Sequence, residues 1–158
     1  MIKKNIKVEY TEVDQEEGLS KEDINLINEA KQAAKTAYAP YSGFKVGAAV
    51  LLENGEIVKG SNQENAAYPS GICAERTAVY YAGSRYPDVP ILKIAVTAFT
   101  NGSFVSMPIA PCGSCRQVLL EAQTRHNTPV KIIMHGACIT RIVDDSVALL
   151  PFPFDKLM

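Results

Sequence analysis

The chain is organised around two stretches of sequence, Ile72-Cys73-Ala74-Glu75-Arg76 and Pro111-Cys112-Gly113-Ser114-Cys115-Arg116. Together they offer three thiols and one carboxylate. The C-x-x-C spacing of the second stretch is less than one helical turn, so both of its sulfurs can reach one ion. Each stretch is predicted to begin a helix in a chain where strands and helices alternate. The two stretches therefore fix both a candidate metal site and the α/β organisation around it.

The thiols Cys73, Cys112 and Cys115 suit Zn²⁺, and three protein ligands leave the fourth position of a tetrahedral zinc open, as in catalytic sites. Glu75 lies two residues past Cys73, so it points away from the ligand direction but stays beside the site. A carboxylate in that place can carry protons for a metal-assisted reaction. We therefore predict one zinc per chain, held by the three cysteines, with Glu75 as the catalytic residue.

The surroundings of the thiols should favour their ionised form. All three are predicted to lie at helix N-termini, where free N–H groups and the helix dipole stabilise thiolates. Arg76 and Arg116 each follow a ligand closely and can donate charge-assisted hydrogen bonds to sulfur. We expect Arg76 to do so and to support the metal site without contacting the ion.

A closed structural zinc site is the alternative interpretation of the same cysteines. In that case Cys138 or His135 would supply a fourth ligand. Structural sites usually bring their ligands in two close pairs, whereas Cys73 stands alone beside a glutamate. We instead expect Cys138 to be a small buried residue of an apolar strand, and His135 and His126 to be incidental.

Composition narrows the class of protein. The chain has 158 residues, 47% of them apolar and 21% charged, with a net charge of −1 and four cysteines. It has no apolar run long enough for a membrane span, and Met1–Asn5 is not followed by the apolar core of a secretory signal. We therefore expect a cytoplasmic protein with free or metal-bound thiols. The lack of a basic cluster argues against a nucleic-acid polymer as partner and favours a small-molecule substrate.

Hydrophobic periodicity and turn residues predict an α/β fold with a mixed five-stranded sheet. Residues 1–19 are predicted as an arm or an edge strand, and residues 20–158 as a single domain. The middle of the chain alternates strand and helix, which predicts parallel pairing there, and a leading hairpin makes the sheet mixed. The predicted helices are 20–38, 73–84, 113–124 and a short one capped by Asp144 and Asp145, and the predicted strands are 45–53, 56–60, 91–98, 129–135 and 138–143.

These residues, with three further segments, resemble a known family, the homotetrameric cytidine deaminases of the all-cysteine zinc type. The metal-binding segments are the two stretches quoted first. The resemblance covers about Ser20 to Phe154, and its motifs are specific. The segments that carry it are Tyr38–Ala49 (YAPYSGFKVGAA), Gly60–Tyr68 (GSNQENAAY), Cys73–Ala78 (CAERTA), Pro111–Val118 (PCGSCRQV) and Leu149–Phe154 (LLPFPF).

The resemblance implies a three-layer α/β/α sandwich and zinc-dependent hydrolytic deamination of cytidine and 2′-deoxycytidine in pyrimidine salvage. It implies that Asn62 and Glu64 bind the ribose 3′-hydroxyl and that Phe44 packs against the pyrimidine ring. Further substrate contacts are implied for the pocket-lining residues Ala66 and Tyr68, for the backbone N–H of Ala74, and for Phe154. In the family this phenylalanine reaches the site of a neighbouring subunit of a homotetramer.

Two other functions stay open at this point. One is deamination of another substrate, such as blasticidin S, a nucleotide or a base in RNA. The anionic Glu64 beside the sugar disfavours phosphorylated substrates. The other is a non-catalytic domain stabilised by zinc. The chain also departs from the family pattern at Met107–Ala110 and at Ser114, where alanine is expected, and both lie near the metal segments.

Overall fold

A computed structural model describes residues 1–155. Positions 156–158 of the predicted domain 20–158 lie outside the described residues. Two short 3₁₀ turns, Tyr68–Ser70 and Ser146–Leu149, accompany the regular elements. The helices and strands are α1 Lys21–Ala34, α2 Ala74–Arg85, α3 Gly113–His126, β1 Thr11–Asp14, β2 Lys45–Leu52, β3 Ile57–Ser61, β4 Ile91–Thr100, β5 Ser103–Phe104, β6 Lys131–His135 and β7 Ile139–Val143.

The strands form one mixed sheet of seven strands in the order β1-β7-β6-β4-β2-β3, with β5 paired to β4. The predicted number of five is therefore wrong, because the N-terminal arm adds β1 at one edge and the segment after β4 folds back as β5. Of the named strand pairs only β4 and β6 are parallel. The predicted parallel crossover through α3 is confirmed, whereas β2 inserts between β3 and β4 and keeps those two strands apart.

The predicted three-layer α/β/α arrangement is confirmed by two apolar clusters on opposite faces of the sheet. Because side chains alternate along a strand, β2 serves both faces. Ala49 and Leu51 pack with α1, while Ala48 and Val50 pack in the larger cluster that includes α2 and α3. The layer of α2 and α3 is the one that carries the cysteines.

Two glycines set how closely the helices approach the sheet. A Cβ atom on Gly47 would lie 2.0 Å from the carbonyl oxygen of Ala30 in α1. A Cβ on Gly60 would lie 2.4 Å from the backbone nitrogen of Ala78 and 2.5 Å from the carbonyl oxygen of Ala74 in α2. Both distances are far below van der Waals contact, so the position of α2 against β3 depends on glycine at residue 60.

The helix N-termini agree with the sequence analysis, and the end of α1 does not. Ser20 caps α1, and its Oγ accepts a hydrogen bond from the Asp23 N–H at 3.0 Å. The helix was predicted to extend close to Tyr38 but ends at Ala34. The Tyr38 N–H instead donates to the carbonyl oxygen of Asn62 at 3.0 Å, and the Tyr38 carbonyl accepts from the Glu64 N–H at 2.8 Å. These bonds to the loop before α2 replace the last predicted turn.

The two Asn-Gly pairs form different turns, although Asn-Gly between two strands favours a type I′ turn. Asn54-Gly55 joins β2 to β3 as predicted, but only Gly55 has a positive φ, so the turn is not type I′. Asn54 Oδ1 accepts from the Glu56 N–H at 3.1 Å instead. At Asn101-Gly102 both residues have positive φ, 51° and 82°. The chain therefore turns tightly from β4 into β5, which pairs with it in antiparallel orientation.

Cys138 was predicted to be buried in a strand, and this is wrong. It is exposed and lies in the connection between β6 and β7, which begins at Ile139. Its N–H donates to the Ser106 carbonyl oxygen at 3.0 Å.

None of the described helices combines the length and apolarity that crossing a membrane requires.

Candidate active site

The three predicted metal ligands meet at the N-termini of α2 and α3. Because β3 and β4 are both antiparallel to β2, they run in the same direction and their C-terminal ends lie at the same sheet edge. The chain that leaves each strand there leads to one of the two helices. Cys73 is the N-cap residue of α2 and Cys112 that of α3, and Cys115 lies in the first turn of α3.

The three sulfur atoms lie within 4.8 Å of one another. The Sγ atoms of Cys73 and Cys112 are 3.8 Å apart, and those of Cys112 and Cys115 are 3.4 Å apart. Two sulfurs bound to a tetrahedral zinc at about 2.3 Å would be separated by about 3.8 Å. The donor set and its spacing therefore fit Zn²⁺. Within residues 1–155 neither Cys138 nor His135 belongs to this cluster. The described part of the chain therefore offers three candidate metal ligands at this site.

Hydrogen bonding shifts the pKa values of two of the thiols in opposite directions. The pKa of Cys73 is lowered to about 5, first by a hydrogen bond from Cys115 and also by the neighbouring Arg76. The same bond and burial raise the pKa of Cys115 well above its usual range. The Arg76 guanidinium Nη2 lies 3.8 Å from the Cys73 sulfur, where a charge-assisted hydrogen bond was expected.

Arg116 is placed differently from Arg76. Its Nε donates to the Pro111 carbonyl oxygen at 2.8 Å, and its Nη1 donates to the Leu149 carbonyl oxygen at 3.0 Å. These bonds join the start of the metal segment of α3 to the chain after β7. Arg116 therefore braces the loop that presents Cys112 and does not act on a sulfur.

Glu75 is the second residue of α2 and is only 5% exposed. Burial holds the pKa of its carboxyl above the usual range, and the negative charge of Cys73 adds to this. A carboxyl beside a metal site with a raised pKa is suited to exchange protons during a reaction.

A cavity of about 790 Å³ opens beside Cys73, whereas Cys112, Cys115 and Glu75 do not line it. Four of the predicted substrate residues line it together with Cys73 and Arg76, namely Asn62, Glu64, Ala66 and Tyr68. Ala74 is completely buried at the start of α2 and does not line this cavity, and neither does the half-buried Phe44. Phe154 is 68% exposed, and its carbonyl oxygen accepts from Gln117 Nε2 at 2.7 Å. Its side chain does not line the cavity of its own chain.

Asn62 connects the cavity to the start of β2. Its Oδ1 accepts from the Val46 N–H at 2.7 Å, and its Nδ2 donates to the Phe44 carbonyl oxygen at 2.9 Å. One lone pair on Oδ1 and one N–H on Nδ2 stay available for a ligand. Asn62 thus holds the backbone of Phe44 in place and can still bind a hydroxyl.

Glu64 is oriented by a turn that sequence reasoning did not assign to the site. Ser42 Oγ donates to Glu64 Oε1 at 2.5 Å, and the N–H groups of Tyr41 and Ser42 donate to Oε2 at 2.9 and 3.3 Å. The hydrogen bond from the Ser42 side chain is the largest cause of the lowered pKa of Glu64. Ser42 Oγ also accepts a hydrogen bond from the Phe44 N–H at 3.0 Å. Ser42 lies inside the quoted segment Tyr38–Ala49, but no spacing rule relates it to a residue 22 positions later.

Comparison with known proteins supports this site. Residues 20–129 match the family described as the cytidine and deoxycytidylate deaminase zinc-binding region. A cytidine deaminase of Halalkalibacterium halodurans is 48% identical over 96 residues, which are 61% of this chain and 68% of that protein. A cytidine deaminase of Mycobacterium tuberculosis is 41% identical over 133 residues, or 84% of this chain and 90% of that protein.

Solved structures agree in fold. The crystal structure of cytidine deaminase from Burkholderia pseudomallei superposes with a TM-score of 0.70 at 40% identity and covers 83% of this chain and 98% of that one. The Mycobacterium tuberculosis enzyme gives a TM-score of 0.67 at 36% identity, covering 85% and 98%. With three sulfurs converging beside a buried carboxyl, these similarities establish that the chain belongs to the cytidine and deoxycytidylate deaminase family and carries its zinc-binding region.

Proposed function

We propose that this chain hydrolyses cytidine and 2′-deoxycytidine to uridine and 2′-deoxyuridine with release of ammonia. The observation that carries the proposal is the meeting of three thiols near the buried Glu75, at a place where Cys73 borders a cavity large enough for a nucleoside. The family membership and the names of the relatives support the same substrate class.

The metal would be held by Cys73, Cys112 and Cys115, with Arg76 beside the Cys73 sulfur. Zinc bound there supplies a Lewis acid that can acidify water near neutral pH. Arg76 offsets part of the negative charge of three thiolates, which would otherwise weaken that effect.

Glu75 carries the protons of the reaction. Its carboxylate takes a proton from the water that attacks C4 of the pyrimidine ring and delivers it to N3. It then helps to protonate the amine as the bond between C4 and nitrogen breaks. Burial raises the pKa of this carboxyl above its usual range.

The sugar and the base would be bound by residues that precede α2 and by its first residue, Ala74. Glu64 and Asn62 bind the ribose 3′-hydroxyl, since both line the cavity and keep acceptor capacity. In this proposal Phe44 packs against the ring, although its side chain does not line the cavity, and its backbone is fixed by Asn62 and Ser42. Ala66, Tyr68 and the backbone N–H of Ala74 complete the substrate contacts.

The proposed assembly is a homotetramer in which Phe154 completes the site of a neighbouring subunit. Its exposed side chain, outside the cavity of its own chain, is compatible with that role. Residues 20–158 form the catalytic domain and residues 1–19 an accessory arm. We place the enzyme in pyrimidine salvage in the cytoplasm, where a reducing environment keeps thiols available for zinc.

The test is the loss of the cytidine absorbance band on mixing with the purified protein, run beside Glu75→Gln. We expect the variant to keep one zinc per chain and the native fold while its turnover falls by about 10³-fold or more, the upper range for a general acid–base residue. Near-normal turnover of Glu75→Gln would contradict the role of the carboxyl.

Substrate range is tested with cytidine, cytidine monophosphate and blasticidin S under the same conditions. Because like charges repel, the anionic Glu64 in the cavity predicts that cytidine monophosphate is a poorer substrate than cytidine. Preference for blasticidin S over cytidine would replace the proposed substrate without changing the chemistry. A fully zinc-loaded protein inactive on all three would favour a non-catalytic domain.

A further inference from the structure

The N-terminal arm, residues 1–19, begins with a basic segment that is followed by an acidic one. The first eight residues contain three lysines and no acidic residue, and the next nine contain five acidic residues and no basic one. In the described part of the chain, Lys4, Lys7 and Glu9 take part in no ion pair, whereas Glu12 Oε2 binds Arg141 Nε at 2.7 Å. Most of the arm's charges are therefore free for an external partner.

The arm also leads into the free edge of the sheet. β1, Thr11–Asp14, pairs with β7 on one side, and no strand within residues 1–155 pairs with its other side. Such an edge offers unpaired backbone N–H and C=O groups to another strand. Before β1, residues 7–10 line a cleft with residues 143–145, so the arm continues beside the chain that follows β7.

Apolar residues alternate along the same segment. Ile6, Val8 and Tyr10 are 55%, 46% and 59% exposed, and the residues between them are Lys7 and Glu9. This period of two places the three apolar side chains on one face of an extended strand. An isolated extended segment with such a face gains stability from a paired strand.

We propose that the arms of two copies of this chain pair as antiparallel strands around a two-fold axis at Val8. Lys7 of each copy then lies opposite the other copy's Glu9, and Lys4 lies opposite Glu12, whose carboxylate also binds Arg141 of its own chain. Ile6 lies opposite Tyr10, so an apolar centre is flanked by opposite charges. Because the axis is two-fold, every contact occurs twice. A parallel, in-register arrangement would set lysine against lysine, so the charge pattern selects the antiparallel one.

The proposal is separate from the deaminase site. The arm precedes the family region, residues 20–129, and contributes no residue to the cavity beside the cysteines. Its variants are therefore expected to deaminate at the rate of the native chain. Activity serves as the check that a variant is folded.

The register is tested by disulfide formation in the zinc-loaded full-length chain carrying Val8→Cys. The axis places the two substituted positions opposite each other, so mild oxidation should give a covalent dimer. Asn5→Cys is the matched control, because its predicted partner is Thr11. The native protein gives the background from its own exposed thiols. Equal dimer from both variants, or none from Val8→Cys, would overturn the proposal.

The charge pattern is tested by adding Lys7→Glu or Glu9→Lys to Val8→Cys. Each change sets like charges opposite each other twice, and we expect the cross-linking rate to fall about tenfold, given the size of cross-strand charge effects. A mixture of the two variants, or one chain carrying both changes, restores opposite charges and should restore the rate. Cross-linking that does not respond to these changes would overturn the proposed pairing.

Discussion

At the scale of single residues, Ser42 connects the groups expected to bind the sugar and the base. Its Oγ binds Glu64 Oε1 and accepts from the Phe44 N–H. Ser42→Ala removes both bonds, and we predict that it raises KM for cytidine about 3- to 10-fold, a change of the size of a typical net hydrogen-bond contribution, with kcat little changed. Steady-state kinetics with cytidine measure both constants.

The control for this prediction is a substrate that lacks the 3′-hydroxyl. If Ser42 acts by orienting Glu64 toward that group, Ser42→Ala and native enzyme should bind 3′-deoxycytidine equally well. An equal rise in KM for both nucleosides would assign Ser42 to the fold of the loop instead of to the recognition of the sugar.

A second residue-scale prediction concerns acid stability and His135. Thr140 Oγ1 donates to the Gln15 carbonyl oxygen, so Nδ1 of His135 must be the donor in its 2.9 Å bond to Thr140 Oγ1. Burial, followed by the positive charge of Lys31, lowers the pKa of His135 to about 4, although Glu16 Oε1 lies 3.9 Å from its Nε2.

Because the folded pKa lies below the unfolded value of about 6.5, the unfolded chain takes up the proton first as the pH falls. The contribution of His135 to stability is therefore complete above about pH 6.5 and is lost toward pH 4. The loss is at most about 3 kcal/mol, from about 1.4 kcal/mol per pKa unit.

Denaturant unfolding of native protein and His135→Asn across this range measures the effect. The asparagine amide can replace the Nδ1 donor but does not titrate near neutral pH. The difference in unfolding free energy between the two proteins should shrink from pH 7 to pH 4. A constant difference would contradict the assignment.

At the scale of elements, the position of α2 determines whether Cys73 and Glu75 reach the site. We predict that Gly60→Ala displaces α2, because the added Cβ would lie 2.4 Å from the Ala78 nitrogen. Zinc affinity and the free energy of unfolding should both fall, the latter by roughly 1–3 kcal/mol as for other overpacked sites. Zinc competition with a chelator and denaturant unfolding measure the two effects.

Gly83→Ala is the matched control, within α2 itself. The nearest atom to its added Cβ would be the Arg125 Nη1 at 3.9 Å, and alanine favours a helix interior by up to about 1 kcal/mol over glycine. Zinc binding should be unchanged and stability equal or higher. Equal losses in both variants would show that the close contact at residue 60 is not what positions α2.

At the scale of the whole molecule, the proposed sharing of sites predicts complementation between two defective chains. Phe154→Ala chains keep Glu75, and Glu75→Gln chains keep Phe154. In mixed tetramers a Phe154→Ala site next to a Glu75→Gln subunit would regain the phenylalanine in trans. Activity after unfolding and refolding the two together should therefore exceed the average of the separate proteins. Activity equal to that average would place the role of Phe154 within its own chain.

Local signals in the sequence predicted much of this molecule. The Ser20 cap, the helix starts beside Cys73 and Cys112, and the convergence of the Cys112 and Cys115 sulfurs follow from short-range spacing and capping rules, and the structure confirms them. The contact of Arg76 with a sulfur was expected on the same grounds. Such features depend on residues within one or two helical turns of each other, which sequence alone reports.

The tertiary structure decided the features that join distant parts of the chain. The early end of α1, the exposure of Cys138, the bracing by Arg116 and the link from Ser42 to Glu64 all depend on partners 22 to 33 residues away or on the packing of loops. The number of strands likewise depended on β1 reaching β7 across more than 120 residues. The sequence by itself determined which candidate metal ligands and which candidate catalytic carboxyl the protein contains, because residue types and their local spacing are fixed by the covalent chain. Only the folded chain determined which groups orient the site, because hydrogen bonds between remote segments require the packed sheet and helices to bring those segments together.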